Sequence, residues 1–498
     1  MIAVVGLALA LQCASALAEA VPGVKVTISE LQPGTGTQYY AAPDGVVGND
    51  GSKEKPWNLA EALVSKILKP GDTLWLRGGS YSCKSLDPRQ RYPMVVCTLH
   101  GEKGKPIMIA QYPGERATLL GRLQIGTKWE SASYVWFWNF EMASASKTRE
   151  SKEAVSWPPS DLDLSGIDIL DNCDVAGPGL KFIDMTVYDV NYSGMNVWHQ
   201  AVDAEVNGCV VYYAGWIGPS GDRNHGHCVY TQNRYGIKTF RDNIFHKAFM
   251  FGTQIYGSDE AFVDGYDYIG NVVFNNGAIG GTPEAALIIA PKNCTQWHFD
   301  IEDNHLYNSD IGRWCAEYGW RFDKRKPYEN ITIKNNRHFG ETALLWWKQV
   351  DVTGNLFCGK VDEEQLNGVG AKFDRAKNTF MSEKPTSGVE IYVRPSIYEA
   401  NRANIIIYNW DKADAVKVDP KYFDGIVARG TDYVIRDPQN WFGPPIAKGT
   451  YDGKAISIPM KDLPIAEPIG IKSNKLMMHT APEFGVFVIQ EAKNMALK

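Results

Sequence analysis

One short phrase recurs along the middle of this chain. It reads Met185-Thr-Val-Tyr188, Cys209-Val-Val-Tyr212, Asn243-Ile-Phe-His246, Asn271-Val-Val-Phe274, Asn304-His-Leu-Tyr307, Asn336-Arg-His-Phe339 and Asn355-Leu-Phe-Cys358. Five of the seven open with Asn, and the starts lie 24, 34, 28, 33, 32 and 19 residues apart. A short β-branched strand with Asn at one turn, repeated at this period, predicts the coils of a parallel β-solenoid. Such a fold presents a long flat strand face, which suits a polymer better than a small ligand.

A second strand is expected in each coil. Gly194-Met-Asn-Val-Trp-His-Gln200 aligns with Gly226-His-Cys-Val-Tyr-Thr-Gln232, 32 residues on. Period-2 alternation sends Val197, Val229 and Thr231 to the core, with His199 beside them. Asn196, Trp198 and Gln200 point to the other face, stacked against Cys228, Tyr230 and Gln232, with Gln254 and Tyr256 on the following coil. Aromatics flanked by amides suit sugar rings, whose C–H faces stack on aromatics and whose hydroxyls bond amides. Trp198, Gln200, Gln232, Gln254 and Tyr256 are therefore candidate substrate-binding residues. The plainer alternative is that the same residues only form structural ladders.

Composition agrees with this class. The 498 residues exceed one ordinary domain, so a solenoid with an appended domain is expected. Aromatics make up 12%, with 47 Gly and 15 Trp, unlike a helical repeat. A formal net charge of -6 without a basic cluster argues against a nucleic-acid partner. It also means that an anionic polymer would need a local basic patch.

Residues 1–18 read as an export signal, with an apolar run from Ile2 to Leu11 and small-residue cleavage sites at Ala14-Ser-Ala16 or Ala16-Leu-Ala18. The n-region lacks Lys or Arg after Met1. No stretch is long enough to span a bilayer, so a secreted or periplasmic monomer is expected. Removal of Cys13 leaves eight cysteines, of which only Cys83 and Cys97 lie close in sequence. A disulfide closing that loop would stabilise by about 3 kcal/mol in the chain-entropy model. The other six read as small buried apolar groups.

Before the coils, Tyr39-Tyr-Ala-Ala-Pro-Asp-Gly45 reads as a strand, and Pro56-Trp-Asn-Leu-Ala-Glu-Ala-Leu63 as a helix with Pro in its first turn. Lys69-Pro-Gly-Asp-Thr-Leu-Trp-Leu-Arg-Gly-Gly79 follows as turn and strand. A helix here would cover the open end of the solenoid. The segment Tyr39 to Tyr81, with Tyr112-Pro-Gly-Glu-Arg116, resembles the N-terminal region of right-handed parallel β-helix proteins in the pectate-lyase-like superfamily. That superfamily includes secreted polysaccharide lyases of the chondroitinase B and alginate lyase type. Tyr134-Val-Trp-Phe-Trp-Asn-Phe-Glu141 and Asn224-His-Gly-His-Cys-Val-Tyr-Thr-Gln-Asn233 resemble uncharacterised members of it. The resemblance spans roughly residues 38–360 and implies the fold. Neither the Lys and Arg of chondroitinase-B-like lyases nor the paired Asp of polygalacturonase-type hydrolases aligns, so no catalytic residue is carried over.

Chemistry is read instead from the densest constellation, Asp222-Arg223-Asn224-His225-Gly226-His227 and Tyr230, after the insertion Gly215-Trp-Ile-Gly-Pro-Ser-Gly221. Insertions in solenoids form loops on one face, often the binding face. β-Elimination from a uronic acid needs a base for the C5 proton, an acid for the leaving oxygen and a cation for the carboxylate. Tyr230, His227 and Lys247 are candidates for acid and base, with Arg223 as neutraliser and Asp222 beside it. The competing reading makes His225 and His227 inward structural histidines. A glycoside hydrolase would instead draw on Asp222, Asp264 or Asp267 with Glu284, and a non-catalytic glycan-binding solenoid is a third class. His225, His227 and Asp222 form a weak metal set, and Asp259, Glu260, Asp264 and Asp267 are a candidate calcium cluster.

The solenoid is expected over 38–360, a linker or cap over 361–388, and a small antiparallel β-sandwich over 389–498. The last is read from Val389-Glu-Ile-Tyr-Val393, Ala403-Asn-Ile-Ile-Ile-Tyr408, Ala415-Val-Lys-Val418, Asp432-Tyr-Val-Ile435 and Ala455-Ile-Ser-Ile458. The expectation is thus an all-β chain, a right-handed parallel β-helix with an N-terminal capping helix and a C-terminal β-sandwich. Its expected role is a secreted polysaccharide-active enzyme, foremost a lyase.

Overall fold

The computed structural model describes residues 34–492, apart from 35, 85–92, 156–158, 220–223, 259–260, 280–283, 293, 296, 322–326 and 472–477. Residues 1–18, with the expected export signal, lie outside them. Among the described residues, three parallel sheets of 11, 11 and 10 strands make up the body of the chain. The chain visits them in the fixed order I, II, III. One coil runs through Lys238–Arg241 in sheet I, Ile244–His246 in sheet II and Thr253–Tyr256 in sheet III. Each strand pairs in parallel with its equivalent one coil away. This is a parallel β-helix.

All seven copies of the recurring phrase are successive strands of sheet II, from Thr186–Tyr188 to Leu356–Cys358. Its Asn has a physical cause. The chain turns from sheet I to sheet II in two residues, the first with positive φ: Gly208, Asp242, Gly270, Asp303, Asn335 and Gly354. Gly, Asp and Asn are the residues that tolerate that conformation. The following Asn is buried and fills the corner as a ladder. Asn243 Nδ2 donates to Asn271 Oδ1 at 2.8 Å, Asn271 to Asn304 at 3.1 Å, Asn304 to Asn336 at 2.8 Å, Asn336 to Asn355 at 3.1 Å and Asn355 to Asn378 at 3.0 Å. Each rung from Asn243 to Asn355 also donates to a sheet I carbonyl, as Asn304 does to Tyr268 O at 2.7 Å. Corner polar groups that burial would otherwise orphan are thereby satisfied.

The core is a continuous stack of Leu, Ile, Val, Phe and Tyr. Its N-terminal end is covered by a four-residue helix, Leu59–Ala62, with Leu59, Ala60 and Ala62 buried. Asn58, not Pro56, begins this helix, its side chain accepting from Ala60 N at 3.0 Å. At the other end strands continue beyond 360. Val361–Asp362 extends sheet III and Thr379–Met381 extends sheet II, while the helix Glu364–Gly368 inserts Leu366 into the core.

A second compact unit comprises 385–466 and 479–492. It holds a five-stranded antiparallel sheet and a two-stranded one, Ala415–Val418 with Ile456–Pro459, around a core of its own. Its central strand, Phe484–Glu491, is one that the sequence reading did not anticipate. The stretch 467–478 belongs to the β-helix unit. There Ile469 N donates to Asp189 at 3.0 Å and Ile469 O accepts from Arg149 Nε at 2.7 Å. Cys83 and Cys97 are free thiols, so the disulfide weighed from sequence is not formed; both are buried, and burial pushes each up to about 12. Of the other six described cysteines, five are also buried and Cys294 is half-buried.

Candidate functional site

Sheet III places the predicted outward residues on one face, with a register the sequence alignment missed. Asn196 stands against Tyr230 and Val197 against Thr231, an offset of 34 residues rather than 32. A slip of two preserves which side chains face out, since the strand period is two. Val197, Val229 and Thr231 are in the interior, as expected. Cys228 is not outward: the strand has not begun there, and its thiol donates inward to Val211 O at 3.2 Å. Gln200 lies past the strand end in the next turn.

The central outward row runs Gln124, Asp168, Asn196, Tyr230, Gln254, Ile288, Glu317. Beside it stand Trp198, Gln232 and Tyr256. At one end Asp168 accepts from Trp198 Nε1 at 2.7 Å and from Arg122. Burial pushes the Asp168 carboxyl upward, against the pull of the Arg122 charge. Asn196 is buried with neither amide atom hydrogen-bonded among the described residues. Trp198 packs edge-on to Tyr230 at 5.3 Å, and Gln232 Nε2 donates to the Tyr230 hydroxyl at 3.4 Å. Burial holds the Tyr230 phenol above its ordinary range. Tyr230 is thus kept as a neutral phenol, placed to donate rather than to take a proton.

The other end is more strongly charged. Lys292 Nζ donates to the Tyr256 hydroxyl at 2.8 Å and lies over its ring. Tyr256 meets Trp320 edge-on at 5.5 Å, and Arg321 lies over Trp314 while bonding Glu317 at 3.1 Å. Phe251, Ala285, Ile288 and Ala290 form the apolar floor beneath these aromatics. Lys292 was not anticipated from sequence. It stands two residues beyond Ala290, the register partner of Tyr256, so aligning Leu287–Ala290 on Thr253–Tyr256 would have located it.

The histidine constellation divides. The insertion Gly215–Gly221 begins a hairpin in which Trp216–Ile217 pairs antiparallel with Asn224–His225. Gly215 and Gly226 sit back to back, where a Cβ on Gly226 would lie 2.3 Å from Gly215 Cα. His225 is buried and stacked on Trp216 at 4.4 Å, a structural role. His227 is half-buried, stacked on Phe251 at 5.4 Å and edge-on to Tyr230 at 5.9 Å, and so borders the face. Asp222 and Arg223 lie outside the described residues.

Lys247 is buried at the sheet II to sheet III corner, with positive φ like Asp189, Tyr213 and Asn275 at the same corner of other coils. Its ammonium lies 5.5 Å from the Phe274 ring, on a different sheet from Tyr230. The candidate calcium cluster also separates. Asp264 is buried in a turn, where Thr295 N donates to it at 2.5 Å, whereas Asp267 is on the outer face of sheet I. Asp259 and Glu260 are outside the described residues.

Glu284 lies on the rim of sheet III where the chain enters Leu287–Ala290, two coils beyond His227 and so ~10 Å along the stack. Burial pushes its carboxyl up to about 7. The unfolded chain ionises this group near its ordinary value while the fold keeps it protonated. Its stabilising contribution is therefore complete at low pH and disappears as pH rises through 7. Glu284→Gln is expected to leave the melting temperature unchanged at pH 4 and to raise it at pH 8. An equal shift at both pH values would show that Glu284 does not titrate in this window.

No family model matches the sequence. Among curated proteins, the uncharacterized protein YwoF of Bacillus subtilis (strain 168) is 25% identical over 255 residues, 50% of this chain and 44% of that protein. The chain thus spans less than half the length of that relative. Among solved structures, pectate lyase Pel9A aligns over 73% of this chain and 85% of its own, with 13% identity and a TM-score of 0.43. An alginate lyase from Paenibacillus sp. str. FPU-7 aligns over 66% and 99%, with 12% identity and a TM-score of 0.40. A GH136 lacto-N-biosidase from Eubacterium ramulus aligns over 69% and 68%, with 11% identity and a TM-score of 0.37. Similarity at this level assigns no activity. The described residues contain no helix long and apolar enough to cross a membrane.

Proposed function

We propose that the outer face of sheet III binds and cleaves an acidic polysaccharide by β-elimination. The observation that carries this reading is the Tyr256–Lys292 pair, a phenol oxygen 2.8 Å from an ammonium, set among Trp314, Trp320 and the apolar floor. Elimination at a uronate needs charge neutralised at the carboxylate while C5 loses its proton, and needs a proton for the leaving oxygen. Lys292 supplies the positive charge, and the Tyr256 oxygen takes the C5 proton and passes it to the leaving oxygen as the C4–O bond breaks and the C4–C5 double bond forms. Arg122 and Arg321 are paired with Asp168 and Glu317, so among the described residues Lys292 is the cation of this face without a carboxylate partner, a local positive charge in a chain of net charge -6. Tyr230, Trp198, Gln232 and Gln254 then extend the face as stacking and hydrogen-bonding positions, with His227 at the border.

Glu284 favours a second reading. A carboxyl pushed up to about 7 suits the general acid of a glycoside hydrolase. Of the partners considered from sequence, Asp222 lies outside the described residues and Asp264 and Asp267 lie in a buried connection and on sheet I, so the described carboxylates in the outward row of this face are Asp168 and Glu317. A panel of uronate-containing and neutral glycans separates the readings. Ultraviolet-absorbing unsaturated products on a uronate polymer support the lyase. New reducing ends without absorbance overturn it in favour of the hydrolase, and retention with neither would leave a glycan binder. Each incubation is run with and without calcium, the ion considered from sequence.

A further inference from the structure

On the outer face of sheet I, away from the candidate site, Asp267 and Asp300 are register partners on adjacent coils. His298, two residues before Asp300, projects from the same face. Its Nε2 lies 2.7 Å from Asp267 Oδ1 and 3.6 Å from Asp300 Oδ2. One ligand atom from each of the three falls within 4.8 Å of the others, and all three side chains are half-exposed. We propose that Asp267, His298 and Asp300 bind a first-row divalent transition metal ion of the zinc type.

The charge balance of the sheet supports it. Like charges stacked directly across neighbouring strands destabilise a sheet. Three other carboxylates of sheet I are offset by a lysine from the neighbouring strand, Glu205 by Lys181 at 2.9 Å, Asp351 by Lys334 at 2.9 Å and Glu329 by Lys348 at 2.6 Å. Glu302, two residues past Asp300, has no ion pair among the described residues and adds to the negative charge there. Among the described residues, Asp267 and Asp300 have no Lys or Arg ion pair. What stands at that place is the His298 imidazole, a strong metal ligand. One nitrogen and two carboxylate oxygens with open positions suit zinc or manganese. Calcium and magnesium prefer all-oxygen shells. The ion would be shared by strands of two adjacent coils and clamp them together.

The test is calorimetric titration of the chelator-treated full chain with zinc chloride, paired with thermal melts. One ion per chain and a raised melting temperature are expected. His298→Ala and Asp300→Asn should each weaken binding at least tenfold, while Asp351→Asn, which breaks a lysine pair on the same face, should not. Circular dichroism checks that the variants fold, and Asp267→Asn replaces any that does not. No zinc binding by the parent chain, binding unchanged in the His298 and Asp300 variants, or tighter binding of calcium than of zinc would overturn the assignment.

Discussion

Tyr256→Phe is expected to abolish polysaccharide cleavage, lowering turnover by about 10²–10⁴-fold, the range for a positioned acid–base group. The melting temperature should hold, because the hydroxyl's described partner is the half-exposed Lys292. Lys292→Ala should act differently. It removes the charge that faces a uronate carboxylate, so activity on an acidic polymer falls while retention of neutral glycans on the aromatic face persists. The measurement is initial rate on the polymer identified by the panel, with melts run in parallel. If Tyr256→Phe keeps parental turnover, the chemistry is not at this pair. Tyr230→Phe is the informative comparison, because its phenol is held neutral by burial and its hydroxyl accepts from Gln232.

Asn304→Ala should be the most destabilising change to the scaffold, costing about 3–5 kcal/mol, several times a typical single hydrogen bond. The amide accepts from Asn271 N and Nδ2 and donates to Tyr268 O and Asn336 Oδ1, all in the buried ladder. Alanine leaves those groups without partners in a dry corner. Asn378→Ala, at the partly exposed last rung, should cost much less. Chemical denaturation with hydrogen exchange at the corner amides checks both. Nearest-neighbour stacking predicts that lost protection is greatest in the coils flanking Asn304. Equal costs for the two substitutions would mean that ladder burial is not what stabilises the corner.

The parts of the fold legible in the sequence were those where one residue type must occupy one place in every coil. The corner Asn is such a residue, since its position is set by a two-residue turn; five strands of sheet II followed from it, and two more, with Met185 and Cys209 at that place, from the apolar phrase after it. The face of sheet III was legible because alternation survives a slip of two. Its register was not, because Gly194 and Gly226 mark different points: Gly194 lies beside the Cys228 carbonyl, and Gly226 belongs to a hairpin. The Tyr256–Lys292 pair and the Asp267–His298 pair join residues 36 and 31 apart across coils of unequal length, so local spacing could not reveal them. Lys247 shows the reverse case. A basic residue near a ladder Asn looked chemical, but its place is a buried corner with positive φ.

The corners of the coil are unequal in a way that bears on how such a chain changes over time. From Trp138 onward the passage from sheet I to sheet II is always two residues, whereas that from sheet II to sheet III varies from 1 to 22. The passage from sheet III back to sheet I varies too, from 2 to 11 residues, so insertions are absorbed at the two corners that border the Tyr230 and Tyr256 face. The Asn corner acts as a fixed spine, and the two variable corners as margins where loops of different length are accommodated without disturbing the stack beneath. In this architecture the segments free to vary are those that border the sheet III face, so if that face binds the proposed polymer, specificity is open to revision while the scaffold is not.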